Sequence, residues 1–167
     1  FGQKPTCLVI TDSDQAGVED VKEQFDQILL DMKIAHRDVD LALDGADAIP
    51  SLTSYDRVIL LMPSLDGLGT HLTDIMSWVS AGGSLMLAMP PDNSSYLQVI
   101  APKLGIESAG YDYVKAESIV PSEDFMLGGG DRYELSDPFD SSLSVSLRET
   151  ARVWAKTGDA GAPLIWS

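Results

Sequence analysis

Carboxylates and hydroxyls concentrate in three short turns, Asp12-Ser13-Asp14-Gln15, Pro63-Ser64-Leu65-Asp66-Gly67 and Pro90-Pro91-Asp92-Asn93. Oxygen donors of this kind hold Mg2+ or Ca2+, or hydrogen-bond to sugar hydroxyls. Asp12, Ser13, Asp14, Ser64, Asp66 and Asp92 are therefore the candidate ligand-binding residues. The same residue types also cap helices, because their oxygens accept the N–H groups left free in a first turn. On sequence alone the metal question stays open at these turns. His36 and His71 have no partner ligands at zinc-site spacing and make a poor zinc site.

Other chemistries lack their residues. A dinucleotide site needs a glycine-rich turn after the first strand, so that the backbone can approach a pyrophosphate. Here that turn carries Asp12 and Asp14, whose charges oppose phosphate unless a cation intervenes. A hydrolase of the nucleophile-elbow type needs Ser or Cys in a tight strand-to-helix turn. The matching stretch, Leu87-Ala88-Met89-Pro90-Pro91, has neither, and its prolines remove N–H groups that an oxyanion hole would use. The sequence therefore predicts no catalytic residue and no cofactor.

The elements that position these turns follow from apolar periodicity. Thr6 to Thr11 is a strand, and Val18, Val21, Phe25, Ile28, Leu29 and Met32 form one stripe of a helix. Ile34 to Asp40 is a second strand, Ala46 to Leu52 a short helical stretch, and Asp56 to Met62 a strand buried on both faces. A helix runs through Leu68, Leu72, Ile75, Met76 and Val79 to Gly82-Gly83, followed by a strand from Ser84 to Met89 and a helix from Ser94 to Leu104. Strand and helix alternation of this kind builds a parallel sheet with its turns at the carboxyl ends. Beyond it, Ile106 to Ile119, Asp124 to Leu127, Tyr133 to Leu135, Leu143 to Leu147, Ala151 to Thr157 and Pro163 to Trp166 read as short β segments. The expectation is a single α/β domain over residues 1–167, a three-layer Rossmann-like or flavodoxin-like fold with a β-rich C-terminal elaboration. Its two halves are expected to share one sheet or to pack together.

Composition narrows the partners. Among 167 residues, 26 are acidic and 11 basic, a formal charge of −15 that repels nucleic acid and anionic lipid. No apolar run is long enough to span a bilayer, so any membrane association would come through segments outside this chain. The single Cys7 lies in the apolar run Thr6-Cys7-Leu8-Val9-Ile10, so it reads as inert core. Phe1 at one end and Ser167 directly after Pro163-Leu164-Ile165-Trp166 at the other read as the cut ends of a longer protein.

Two resemblances bear on function. Leu43-Asp44-Gly45-Ala46-Asp47-Ala48 and Tyr55 to Gly67, with Asp12 and Asp14 as an acidic pair, resemble a response-regulator receiver domain. Receivers carry their phospho-accepting aspartate at the end of the third strand, where this chain has Leu61 and Met62, so no aspartyl phosphate can form there. More specifically, Trp78-Val79-Ser80-Ala81-Gly82-Gly83-Ser84-Leu85, the strand ending in prolines, Asp124 to Gly130, Ser141 to Val145 and Pro163 to Trp166 resemble a degenerate class I glutamine-amidotransferase-like domain. The resemblance is to the amino-terminal region of an uncharacterised bacterial family. Its members are secreted or membrane-anchored and often carry a polysaccharide-deacetylase-like module downstream, including proteins of Pel-type exopolysaccharide systems. That likeness implies an extracytoplasmic, non-catalytic accessory module whose partner is a polysaccharide, the downstream carbohydrate-active module or another protein. A receiver-like or divalent-metal-binding sensor and a cryptic hydrolase are the alternatives. Tyr96, Tyr111, Tyr113 and Trp154 are aromatics that stack on sugars or pack in a core.

Overall fold

The computed structural model describes residues 5–89, 95–110, 115–125, 129–139 and 144–167. The chain divides into two compact units, residues 1–96 and 97–167.

The first unit is built on a parallel sheet. Its strands are β1 (Cys7–Thr11), β2 (His36–Asp40), β3 (Arg57–Leu61) and β4 (Ser84–Leu87), in the order β2-β1-β3-β4. In register, Cys7 pairs with His36 on one side and Arg57 on the other, and Thr11 with Asp40 and Leu61. Side chains alternate across a sheet, so Cys7, Val9, Ile59 and Leu61 line one face and Leu8, Ile10, Val58 and Leu60 the other. All eight are buried, at about 1.5–3 kcal/mol for each fully buried large aliphatic side chain.

Helix α1 (Val18–Asp31) covers the first of these faces: Leu29 joins Cys7, Val9, Ile59 and Leu61 in one cluster, with Val21, Phe25 and Ile34 packed against it. The expected stripe is correct at Val18, Val21, Phe25 and Leu29 and wrong at Ile28 and Met32, which are 48% and 63% exposed. At 100° per residue Ile28 sits about 100° from Leu29, on the flank. Met32 lies beyond the last turn, where its N–H bonds to the Ile28 carbonyl. The helix closes with Ile34 donating to the Leu29 carbonyl at 2.8 Å and Lys33 to that of Leu30 at 3.0 Å, a Schellman arrangement. Lys33 occupies its left-handed position, with φ 55°.

The second strand begins at His36 rather than Ile34, since Ile34 is spent on that cap. After α2 (Leu41–Asp44), the stretch around Ala46 to Leu52 is two 3-10 turns, Ala46–Ala48 and Leu52–Ser54. Leu68 lies in a further 3-10 turn, Asp66–Leu68, and helix α3 starts only at His71 (His71–Ser80). Gly82, at φ 103°, turns the chain after it, and β4 ends at Leu87 rather than Met89. A Cβ at Gly83 would fall inside the Trp78 indole, so the turn into β4 requires glycine there.

The helix expected from Ser94 to Leu104 is α4 (Ser95–Ile100) followed by a 3-10 turn, Ala101–Leu104. In the second unit β5 (Ile106–Gly110) pairs with β8 (Ser144–Leu147). Strands β6 (Ala116–Pro121), β7 (Tyr133–Phe139), β9 (Val153–Thr157) and β10 (Pro163–Trp166) form an antiparallel sheet ordered β10-β9-β6-β7. Among the described residues none of these strands joins the parallel sheet, so the two halves do not share one. Residues 123–125 are a turn rather than part of a strand, and 126–128 lie outside the described residues.

Candidate functional site

In the order β2-β1-β3-β4 the chain leaves β1 toward one edge of the sheet and later returns to build β3 and β4 toward the other. The crevice outside the carboxyl ends of β1 and β3 is thus the topological switch point, where sheets of this kind bind ligands. The turns after β1 and β3 bring Asp12, Ser13 and Ser64 to it, as expected.

Gln15 bridges the two turns. Its amide nitrogen donates to Asp12 Oδ2 at 2.8 Å and to the Ser64 carbonyl at 3.0 Å, while its amide oxygen accepts the Ser64 N–H at 2.7 Å. The two turns are thereby fastened across the switch point. The fit is close, since a Cβ on Gly67 would lie 3.3 Å from Asp12 Oδ2 and 3.2 Å from Leu41. Ser13 is held from the other side, its N–H donating to Asp40 Oδ1 at 3.0 Å. Asp40 also accepts from the Ala42 N–H at 3.1 Å and caps α2. Burial pushes the Asp40 carboxyl up, but hydrogen bonds from Ser13 and Ala42 and the charge of Lys22 outweigh it, leaving the group below the usual aspartate range.

Asp14 and Asp66 are exposed, and the Asp66 N–H reaches Ser64 Oγ at 3.4 Å. Asp92 lies outside the described residues, as do Tyr111 and Tyr113. Among the described residues, the turn carboxylates do not form a group of three or more potential metal ligands. Leu61 and Met62, at the end of β3, are buried and apolar, so no oxygen nucleophile stands there.

The residues missed from sequence lie on the flank. A groove of about 630 Å3 opens between α1 and β2, with Thr11, Ser13, Lys22, Asp26, Asp38 and Asp40 in its lining. His36, Asp38 and Asp40 pair with Cys7, Val9 and Thr11 and so share the α1 side of the sheet. Lys22 Nζ lies 2.5 Å from Asp26 Oδ1, one helical turn away, and 3.1 Å from Asp38 Oδ1. Burial lowers the Lys22 ammonium, but its hydrogen bonds to Asp26 and Asp38 and their charges raise it further, so it titrates above the ordinary lysine range. His36 Nε2 is 3.6 Å from both Asp26 Oδ1 and Asp38 Oδ2, and its Nδ1 faces the Ile34 carbonyl at 3.2 Å. His71 stands apart, 3.7 Å from Asp47 Oδ1.

In the second unit, Arg152 lies over the Trp154 ring at 4.0 Å and binds Asp124 Oδ2 at 2.6 Å. Phe125 tilts against the same indole with centroids 5.8 Å apart and remains 44% exposed. The Phe125 ring is thus presented to solvent beside the Arg152–Asp124 pair, with Trp154 half-buried beneath.

Residues 1–154 match the bacterial family described as uncharacterised protein conserved in bacteria, DUF2194. The chain belongs to this family. No curated protein matches it. The DUF2194 chain is similar in fold to a crystal structure described as a ThuA-like protein from Bacteroides uniformis ATCC 8492. The TM-score is 0.63 with 12% identity, covering 100% of this chain and 79% of that one. At that identity the likeness speaks for the fold alone, and it accords with the parallel sheet read from the sequence.

Proposed function

We propose that this DUF2194 chain is a non-catalytic module of class I glutamine-amidotransferase-like architecture that binds a glycan or a protein partner within an extracytoplasmic, polysaccharide-modifying protein. The observation that carries the reading is the Gln15 side chain, which spans the switch point with three hydrogen bonds where an enzyme of this architecture would keep an open pocket. Two features add to it. The end of β3 offers Leu61 and Met62 in place of a reactive oxygen, and the elbow sequence Leu87 to Pro91 contains no Ser or Cys.

The glycan is the favoured ligand because the exposed Phe125 ring, with Asp124 and Arg152 nearby, supplies what pyranose recognition uses: an aromatic face for C–H groups and charged groups for hydroxyls. Polysaccharide modification and an extracytoplasmic home rest on the family likeness drawn from the sequence.

Affinity electrophoresis through gels containing bacterial exopolysaccharides tests the reading, beside assays with acetylated and glycosidic chromogenic substrates. Retardation that weakens in Phe125→Ala, with no turnover of any substrate, is the expected pair of results. Turnover above a heat-denatured control overturns the non-catalytic reading. Migration unaffected by every polysaccharide removes the glycan and leaves the protein partner.

A further inference from the structure

The cluster between α1 and β2 belongs to neither the switch point nor the Phe125 surface. Its chemistry is that of a metal site. Asp26, His36 and Asp38 each offer one ligand atom, the three atoms lying within 4.8 Å of one another. A tetrahedral ion with ligands at about 2.1 Å holds them roughly 3.4 Å apart, close to the 3.6 Å from His36 Nε2 to each carboxylate oxygen.

An independent contact, outside the cluster, sets the tautomer. The Ile34 carbonyl can only accept, so Nδ1, 3.2 Å away, carries the proton. With Nδ1 committed to the Ile34 carbonyl, Nε2 is the ring nitrogen that faces the Asp26 and Asp38 carboxylate oxygens, each 3.6 Å away. Backbone bonding at one imidazole nitrogen is also how metal-binding histidines are oriented for coordination by the other.

The geometry points to a divalent transition-metal site formed by Asp26, His36 and Asp38, with Lys22 as the resident counter-ion that the metal displaces. A nitrogen ligand selects Zn2+ and its neighbours over Mg2+ and Ca2+, which favour all-oxygen shells. Lys22 pairs with both carboxylates from α1. Its flexible stem borders the groove of about 630 Å3, which gives the ammonium a path outward and the metal a path in. The inference stands apart from the proposed function, since a bound ion here neither requires nor excludes a glycan ligand.

The test is titration of the full chain with Zn2+ by calorimetry in a non-chelating buffer, and with Co2+ followed by visible absorption. One equivalent of Zn2+ is expected, bound more than about tenfold more weakly by His36→Ala and several-fold more tightly by Lys22→Met. Co2+ should give the intense visible bands of a tetrahedral site, a readout on the unmutated protein that holds whether or not the variants fold. Absence of binding by both wild type and Lys22→Met overturns the site, as does wild-type affinity in a folded His36→Ala or a Co2+ spectrum of the hydrated ion alone.

Discussion

Gln15 and Ser64 meet as two peptide groups would: the Gln15 side-chain amide accepts the Ser64 N–H at 2.7 Å and donates to the Ser64 carbonyl at 3.0 Å. Those residues are 49 apart in sequence, and their pairing ties the turn after β1 to the turn after β3. Net contributions of about 0.5–1.5 kcal/mol for each of the two neutral bonds and about 1.5–3 kcal/mol for the bond to the Asp12 carboxylate set an upper bound of about 6 kcal/mol, which water reaching the half-buried partners in Gln15→Ala brings down to about 1–3 kcal/mol. Gln15→Glu should cost at least as much, because it loses both donors and sets a second carboxylate beside Asp12. Urea unfolding at neutral pH measures both, and a change below about 0.5 kcal/mol for both variants would show that the clamp does not hold in solution.

Lys33 holds a left-handed backbone conformation at the end of α1 with φ 55°, which costs a residue bearing a Cβ about 1 kcal/mol relative to glycine. Lys33→Gly should therefore stabilise the protein by several tenths to about 1 kcal/mol, the greater freedom of glycine in the unfolded chain taking back part of the gain. A raised urea midpoint with an unchanged slope is the expected observation.

Asp40 provides a pH dependence of known sign. Its folded-state carboxyl is held below the ordinary range, so its contribution to stability is fully present above the unfolded value, about 3.9, and is lost as pH falls through the lower folded value. Asp40→Ala should cost about 1 kcal/mol near neutrality as a lost cap. The difference from wild type should shrink in unfolding experiments below about pH 4. A difference that grows on acidification would reverse the assignment.

Cys7 is 1% exposed in β1, and its thiol is pushed up by burial first, with Asp38 adding to the effect and Arg57 opposing it. Reaction with a disulfide reagent under native conditions should proceed only as fast as the molecule opens. Rapid stoichiometric labelling would show that β1 is not in the core.

How much of this was legible follows from how far each partner lies along the chain. The strands Cys7–Thr11 and Arg57–Leu61 are continuous apolar runs, and both faces of such a run must be buried, so their place in a parallel sheet could be read directly. Asp12, Ser13 and Ser64 could be placed at the carboxyl edge because turn position follows from strand order. The role of Gln15 could not, because an amide that bridges needs its second turn, and nothing local marks Ser64 as that partner. Lys22 and Asp26 formed a visible pair one turn apart, and His36 and Asp38 a visible pair on one strand face. That the two pairs meet depends on α1 crossing β2, which periodicity does not specify. Ile28 and Met32 fitted the apolar spacing, yet a stripe predicts burial only as wide as the surface that covers it.

The central claim is that Gln15 fastens the turns after β1 and β3 to each other across the switch point. The most direct measurement is hydrogen exchange of the Gln15 side-chain amide, followed by nitrogen-15 NMR with Gln15→Ala to assign the signal. The account predicts a shifted pair of resonances exchanging far more slowly than a solvated glutamine amide, because its nitrogen donates to both Asp12 and Ser64. Exchange at the rate of a free side chain would contradict it, showing that the two turns are not fastened at the ends of β1 and β3.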